Sequence, residues 1–237
     1  MSFGSSSATK TNRPNYNAIR GTRYKSNDII MNTLQNPLFT DLRNDISFTV
    51  GDKFVVLIEH QSSVNPNMGL RSLLYIARIY EQLTDKDGMY RARKISIENP
   101  KFYVMYNGVE EYPEKSTVKL SDLFKVQGVE NNLEVIVKVY NVNAGHNKNM
   151  MARSKTLNEY AIFIAKIREY RESGGFELTE ALNRAVADCL REDILRKFLE
   201  SHGGDVVSIL SREFNIDDAS LYLKYTLTFL SGYKTIL

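Results

Sequence analysis

Two acidic residues in the first quarter of the chain, Asp45 and Glu59, have the surroundings expected of a divalent-cation site. Asp45 opens a short segment of alternating apolar and polar residues, and Glu59 closes a continuous apolar segment. Two carboxylates on one face of a sheet would hold Mg²⁺ or Mn²⁺, because these hard cations prefer oxygen ligands and keep waters for a substrate phosphate. The order of these parts favours metal-dependent hydrolysis of a phosphodiester.

The hairpin between the two segments decides whether the carboxylates can meet. A two-residue turn at positions 51–52 would pair Asp45 with Ile58 and direct Glu59 to the other face, because side chains alternate along a strand. The carboxylates share a face only if the loop has an odd number of residues, such as 51–53, or if a bulge intervenes. We predict the odd loop or the bulge. By spacing alone, turn and surface positions are the commoner explanation for both carboxylates.

The second predicted strand ends in Glu59, His60 and Gln61, whose side chains are expected to alternate between its two faces. Gln61 is expected on the same face as Glu59, and His60 on the opposite face. We expect Asp45 and Glu59 to ligate the metal, while the backbone carbonyl of His60 adds an oxygen ligand. Gln61 would orient the attacking water.

A helix is predicted over residues 68–83, because two stripes of side chains recur there at intervals of three and four. The polar stripe contains Arg71, Tyr75 and Arg78, which we expect to meet DNA phosphates. A solvated helix face is the plainer explanation for the two arginines taken alone. The apolar stripe, expected to face the core, comprises Leu70, Leu73, Leu74, Ala77 and Tyr80.

The remaining pattern predicts an α/β core followed by helices. Strands are expected at residues 102–106 and 133–142, separated by a charged excursion at 111–119. Helices are expected at 155–172 and 178–200. The glycine pairs that would stop these helices are at 174–175 and 203–204.

Three side chains of the helical part receive structural roles. Tyr160 and its apolar neighbours are expected to pack in the core. Arg168 is expected on the solvated side of the same helix, with contact to DNA backbone as the alternative. Cys189 is expected to be a small buried residue, because no partner histidine or motif marks it as a nucleophile.

Composition excludes several classes of protein. The chain has 237 residues, a formal net charge of +3 and one cysteine. A single cysteine forms neither an intramolecular disulfide nor a thiolate zinc site, which favours a reducing compartment and a cytoplasmic address. The sequence has no apolar run long enough for a membrane span and no apolar leader typical of a signal peptide. The mild positive charge leaves DNA open as a partner without predicting it.

The candidate site belongs to longer segments that resemble a known family. The segments with the strongest likeness are 44–48 (NDISF), 56–63 (VLIEHQSS), 65–68 (NPNM) and 70–81, supported by 104–108 (VMYNG), 120–122 (LSD), 139–147 and 167–170 (IREY). They closely resemble the recombination-promoting nuclease / putative transposase family. That family belongs to the PD-(D/E)xK nuclease superfamily, which has a restriction-endonuclease-like core. The likeness runs from about residue 15 to about residue 219.

The resemblance implies a Mg²⁺-dependent DNA endonuclease that promotes recombination or transposition. Asp45 matches the metal-binding aspartate of the superfamily, and Glu59 matches the acidic residue of the (D/E)xK triplet. Gln61 stands where the superfamily usually has lysine. A neutral amide orients water but does not stabilise negative charge as an ammonium does, so we expect either slow turnover or the need for a second helper group. The implied fold is a central mixed β-sheet flanked by helices, with a helical carboxy-terminal part.

The two ends of the chain depart from the family pattern. The predicted organisation is a disordered leader (1–14), a PD-(D/E)xK nuclease-like core (15–148), a helical part (149–219) and a divergent apolar tail (220–237). Relatives begin with a longer helix, so a truncated copy is expected, with an exposed sheet flank that favours homodimerisation or aggregation. The alternative function is a catalytically degenerate family member that acts only as a DNA-binding or protein-interaction remnant.

Overall fold

The computed structural model of the protein describes residues 20, 29–31, 46–50, 53–85 and 87–213. Asp45, the leader (1–14) and the tail (220–237) lie outside the described residues, as do positions 51 and 52 of the predicted turn. The described part has the predicted α/β architecture: a mixed sheet, covered by helices on both faces, is followed by a helical carboxy-terminal part. This is a restriction-endonuclease-like core.

The described residues form a sheet of six strands in the order β1-β2-β3-β4-β6-β5. The central pairs β3/β4 and β4/β6 are parallel, and the pairs β1/β2, β2/β3 and β5/β6 are antiparallel. Parallel neighbours place their carboxyl ends at one edge of the sheet. The strands are β1 (Ile29–Met31), β2 (Ile46–Val50), β3 (Phe54–Gln61), β4 (Asn99–Tyr106), β5 (Lys115–Lys119) and β6 (Ile136–Asn141).

The register of the β2/β3 hairpin confirms the odd loop. Val50 pairs with Phe54 and Ile46 pairs with Ile58, so residues 51–53 form the connection. The Lys53 amide donates to the Val50 carbonyl at 3.1 Å. Both faces of β2 are buried although its sequence alternates, because Ser47 and Thr49 are buried together with Phe48 and Val50.

Two strand predictions need correction. The excursion at 111–119 contains β5, an edge strand of alternating exposure with lysine at each end. Edge strands carry such charges because they discourage pairing with other chains. The sequence pattern does not predict β5, because the segment contains too few apolar residues to resemble a buried strand. The following strand begins at Ile136 and not at residue 133.

The helices match the predicted bounds in part. The helix at 68–83, the helix at 155–172 and the stop at glycines 174–175 are confirmed. The single helix predicted at 178–200 is two helices, because Asp193 and Leu195 adopt positive φ angles of 60° and 48° between them. The second helix runs through glycines 203–204. The helices are α1 (Met68–Leu83), α2 (Lys148–Met151), α3 (Lys155–Glu172), α4 (Leu178–Arg191) and α5 (Arg196–Glu213).

Helix α1 turns a different side to the sheet than predicted. Leu70 and Leu74 are 44% and 42% exposed, whereas Tyr75, Ile76 and Ile79 are buried. Apolar residues occupy most of the circumference of this helix, so periodicity alone does not select the inward side. The N-terminal turn sits close to the following segment: a Cβ on Gly69 would lie 2.7 Å from backbone atoms of Leu120.

The core is divided between the two faces of the sheet and the helical part. One face packs against α1, the other against α2 and α3, and a third cluster joins α3, α4 and α5. The predicted core position of Tyr160 is confirmed, as is burial of Cys189. Burial raises the pKa of the Cys189 thiol to about 11, which keeps the thiol protonated at neutral pH. Among the described helices, none combines the length and the apolar character that a bilayer crossing requires.

The buried His60 makes stability depend on pH. Burial lowers the pKa of its imidazole from 6.5 to about 3. Between these values the unfolded chain binds a proton that the folded chain does not, so acid favours unfolding. We expect His60 to account for the loss of about 2 kcal/mol of the free energy of unfolding between pH 7 and pH 5.

Chemical denaturation at the two pH values checks this prediction. His60→Leu should lose that part of the pH dependence, while His146→Leu, at a partly exposed site, should retain it. Equal pH dependence in wild type and His60→Leu would contradict the assignment.

Candidate functional site

Glu59 lies at the carboxyl end of β3, on the face that α1 covers. Its neighbours at alternate positions, Leu57 and Gln61, share that face, and His60 lies on the opposite face, as predicted. The side chain of Glu59 is only 6% exposed. A carboxylate removed from water to this extent requires a cationic or hydrogen-bonding partner.

Arg71, in the second turn of α1, supplies this partner. Its Nη2 lies 3.0 Å from Oε2 of Glu59, and its side chain is 32% exposed. The Nε and Nη2 groups also donate to the hydroxyl oxygen of Tyr75 at 3.2 and 2.9 Å. The spacing of four residues places Arg71 and Tyr75 on one side of the helix. Tyr75 therefore holds the arginine over the carboxylate.

Of the three side chains predicted to meet phosphates, Arg71 and Tyr75 are in contact, and Arg78 lies apart from them. Tyr75 is 1% exposed, and its hydroxyl is engaged by Arg71, so its role is to position that arginine. Arg78 is half-buried two turns further along α1, about 10 Å from Arg71 along the helix axis. Arg71 is the member of the set that reaches the candidate site, and phosphate contact by Arg71 and Arg78 stays a prediction.

Gln61 is held at both ends of its side-chain amide. Its Oε1 accepts from the backbone amide of Asn65 at 3.0 Å, and its Nε2 lies 2.8 Å from the sulfur of Met68. These contacts tie the end of β3 to the first turn of α1. The amide keeps a second N–H and a second oxygen lone pair with which it could orient a water.

The carboxyl ends of β3, β4 and β6 meet in a network of asparagines. The Asn107 amide donates to the Gln61 carbonyl at 2.9 Å. Arg168 of α3 donates from Nη1 to Oδ1 of Asn143 and from Nη2 to Oδ1 of Asn107, each at 2.8 Å, and also to the Asn107 carbonyl. The expectation of a solvated Arg168 is therefore wrong. The signal in the sequence is one asparagine after each of two strands, Asn107 after β4 and Asn143 after β6.

A close crossing at Gly108 keeps this edge compact. A Cβ at this position would lie 1.8 Å from the Ser62 carbonyl oxygen, so any side chain would force the segments after β3 and β4 apart. The Gly108 carbonyl also accepts from Nδ2 of Asn143 at 3.0 Å. The loop after β3, and with it Gln61, is thus fixed by its neighbour strands.

Two of the three predicted metal ligands, Glu59 and the backbone carbonyl of His60, lie among the described residues. The carboxylate of Glu59 offers hard oxygen ligands, and it already pairs with one cation, the guanidinium of Arg71. Within the described ranges, no three His, Cys, Asp or Glu side chains cluster closely enough to hold a metal ion. Asp45, the predicted second carboxylate, lies outside these ranges. The donor chemistry fits a divalent cation if Asp45 completes it.

A family model described as "Putative transposase, YhgA-like" matches residues 19–193, which include the candidate site and the asparagine network. The chain belongs to this family. The resemblance seen in the segments around Glu59 is confirmed by this match. Membership gives the YhgA-like protein a transposition-related role, with DNA as its partner. Neither a curated protein nor a solved structure matches the chain significantly.

The contacts of Arg168 predict that this residue stabilises the YhgA-like fold. Arg168→Ala would leave three oxygen acceptors without their donor, and we expect the free energy of unfolding to fall by roughly 2–4 kcal/mol. Arg168→Lys keeps the positive charge but not the forked geometry of the guanidinium. Its free energy of unfolding should therefore lie between those of wild type and Arg168→Ala. Chemical denaturation measures these differences.

Lys155→Ala is the matched control in the same helix. Its ion pair with Glu159 is exposed on the lysine side, so the change should stay within about 0.5 kcal/mol. An Arg168→Ala loss no larger than this control would show that the network contributes little.

Proposed function

We propose that the protein is a metal-dependent DNA endonuclease whose phosphodiester hydrolysis serves transposition or recombination. The observation that carries the proposal is the buried Glu59 at the carboxyl end of β3, paired with Arg71 at 3.0 Å. A buried acid and an accessible guanidinium at such an edge are the parts needed to hold a cation and a phosphate together. Membership of a transposase-like family supports DNA as the substrate.

The register of the hairpin supports Asp45 as the second carboxylate. The described pairs end at Ile46 opposite Ile58. One further step in the same register would place position 45 opposite Glu59, with both side chains on the face that α1 covers. Asp45 and Glu59 would then hold Mg²⁺ or Mn²⁺, with the backbone carbonyl of His60 as a further oxygen donor. The bound cation would supply Lewis acidity and a more acidic water.

The other residues act on phosphate and water. Arg71 is accessible enough to contact a phosphate above the site while it neutralises Glu59. Gln61 would orient the attacking water through its amide. Because an amide does not stabilise developing negative charge as an ammonium does, we expect slow hydrolysis.

The second candidate is a degenerate member that binds DNA without cleaving it. It is favoured by Gln61, whose amide is engaged by Asn65 and Met68 and which stands where the superfamily has lysine. Substitution of Glu59 abolishes cleavage if the protein is an endonuclease. A degenerate member shows no cleavage before or after the substitution and still binds DNA.

A plasmid-nicking assay distinguishes them. Wild type with supercoiled plasmid and Mg²⁺ or Mn²⁺ should produce nicked circles, and EDTA should stop this. Glu59→Gln keeps the shape but removes a negative charge, so nicking should fall by at least about 100-fold. Asp45→Asn should show a similar loss.

Glu81→Gln, on the exposed part of α1, serves as the control and should nick like wild type. Nicking by Glu59→Gln at the wild-type rate would overturn the site assignment. A folded wild-type sample without nicking, but with DNA affinity, would favour the degenerate candidate.

The proposed phosphate contact of Arg71 is tested by salt dependence in a non-cleaving background. We expect Glu59→Gln/Arg71→Ala to bind duplex DNA with a salt slope smaller by about 1 than Glu59→Gln alone. The shared Glu59→Gln change avoids an unpaired buried charge in the arginine variant. An unchanged salt slope would show that Arg71 pairs with Glu59 and does not contact a DNA phosphate.

A further inference from the structure

The segment that connects α1 to β4 presents an aromatic ring and three cations to solvent. Tyr90, at the end of a short 3-10 turn (Gly88–Tyr90), is 90% exposed. Arg91, Arg93 and Lys94 follow it directly and are exposed as well. A tyrosine this exposed loses the benefit of burying its ring, so its place here is unexplained by packing.

The three cations line a cavity of about 470 Å³ between this segment and the end of α1. A volume of this size falls within the range of about 300–1,000 Å³ that is typical of small-ligand sites. Asp85 and Glu98 also belong to the wall, so its formal charge is +1. Asp85 is turned to its own loop, where its Oδ1 accepts from the Asp87 amide at 3.2 Å. Tyr90 is not itself part of the wall, but it directly precedes Arg91 of the wall in the chain.

We infer that this surface, formed by Tyr90, Arg91, Arg93 and Lys94, binds single-stranded DNA. The cations would neutralise successive phosphates, and the ring of Tyr90 would stack on an unpaired base. Duplex DNA fits this chemistry less well, because its bases are stacked on one another and do not offer a face to a protein ring. The inference deepens the proposed function, since it assigns a second site to the same DNA substrate.

The distance between this surface and Glu59 determines how far a bound DNA strand must extend to reach the candidate site. It lies at the C-terminal end of α1, whereas Arg71 and Glu59 lie near the N-terminal end. The twelve residues between Arg71 and Leu83 correspond to about 18 Å of helix. A single strand that follows α1 would have to extend over this distance to reach the candidate site. An unpaired strand held here would leave its neighbouring segment near the candidate site.

Fluorescence anisotropy in EDTA tests the inference without cleavage. The probes are a labelled oligothymidylate and its duplex with oligoadenylate, and the protein is full-length Glu59→Gln. In this background, Tyr90→Ala should weaken binding of the single strand by about tenfold, as expected for loss of one stacked base, and leave duplex binding unchanged. Tyr90→Phe keeps the ring and should bind the single strand within about twofold of its parent.

The cations are tested together. The triple variant Arg91→Ala/Arg93→Ala/Lys94→Ala should reduce the salt slope for the single strand by about 2, since three neutralised phosphates contribute roughly 0.7 each. The control triple Arg184→Ala/Arg191→Ala/Arg196→Ala removes the same formal charge from arginines paired with acids on α4 and α5. It should leave the slope unchanged.

The inference would be overturned by an unchanged single-strand affinity in Tyr90→Ala, by an equal loss of affinity for the duplex, or by an equal loss of salt slope in the control triple. A loss in Tyr90→Phe as large as in Tyr90→Ala would do the same, because it would implicate the hydroxyl and not the ring. The binding assay is independent of nicking. Nicking without these binding effects would therefore reject the inference alone, and these effects without nicking would reject only the endonuclease proposal.

Discussion

The burial of one carboxylate, that of Glu59, is the constraint on which the arrangement of this edge depends. A charge removed from water must be paired, and Arg71 meets this need from α1 while Tyr75 holds its guanidinium. The pairing requires the first turns of α1 to approach the end of β3 closely. Gly69, in the first turn of α1, lies against the backbone of Leu120, where a Cβ would come within 2.7 Å. The same closeness brings Gln61 and Met68 into contact, so the predicted catalytic amide and the helix are positioned together.

The carboxyl edge of the parallel strands is also the place where the two parts of the molecule join. Arg168 projects from α3 to oxygens that follow β4 and β6, and the Asn107 amide continues the connection to the Gln61 carbonyl. A guanidinium serves here because its rigid fork satisfies several acceptors at once. The helical part is thereby linked through hydrogen bonds to the strand end that contains the candidate site. Open α/β sheets bind their ligands at this edge, which agrees with the proposed chemistry.

Helix α1 relates the two DNA-binding features that we propose. Its N-terminal end holds Arg71 over Glu59, and its C-terminal end leads to the exposed Tyr90 and the cationic cavity. The two ends differ in chemistry. The first buries its charges and suits a scissile phosphate with a cation, whereas the second exposes a ring and suits an unpaired base. A strand that runs along the helix would contact both.

The sequence by itself determined the local elements and the family. The alternation in β2, the apolar run of β3 and the helical periods of α1 and α3 are local signals, and the odd hairpin loop followed from the need for Asp45 and Glu59 to share a face. Tertiary structure decided the rest. Packing between distant segments decides which side of α1 faces the sheet and which residues pair with Arg71 and Arg168. The edge strand β5 exists because it pairs with β6. The break after α4 results from the positive φ angles of Asp193 and Leu195. Periodicity reports the burial of a residue relative to its chain neighbours, but only packing brings distant residues together.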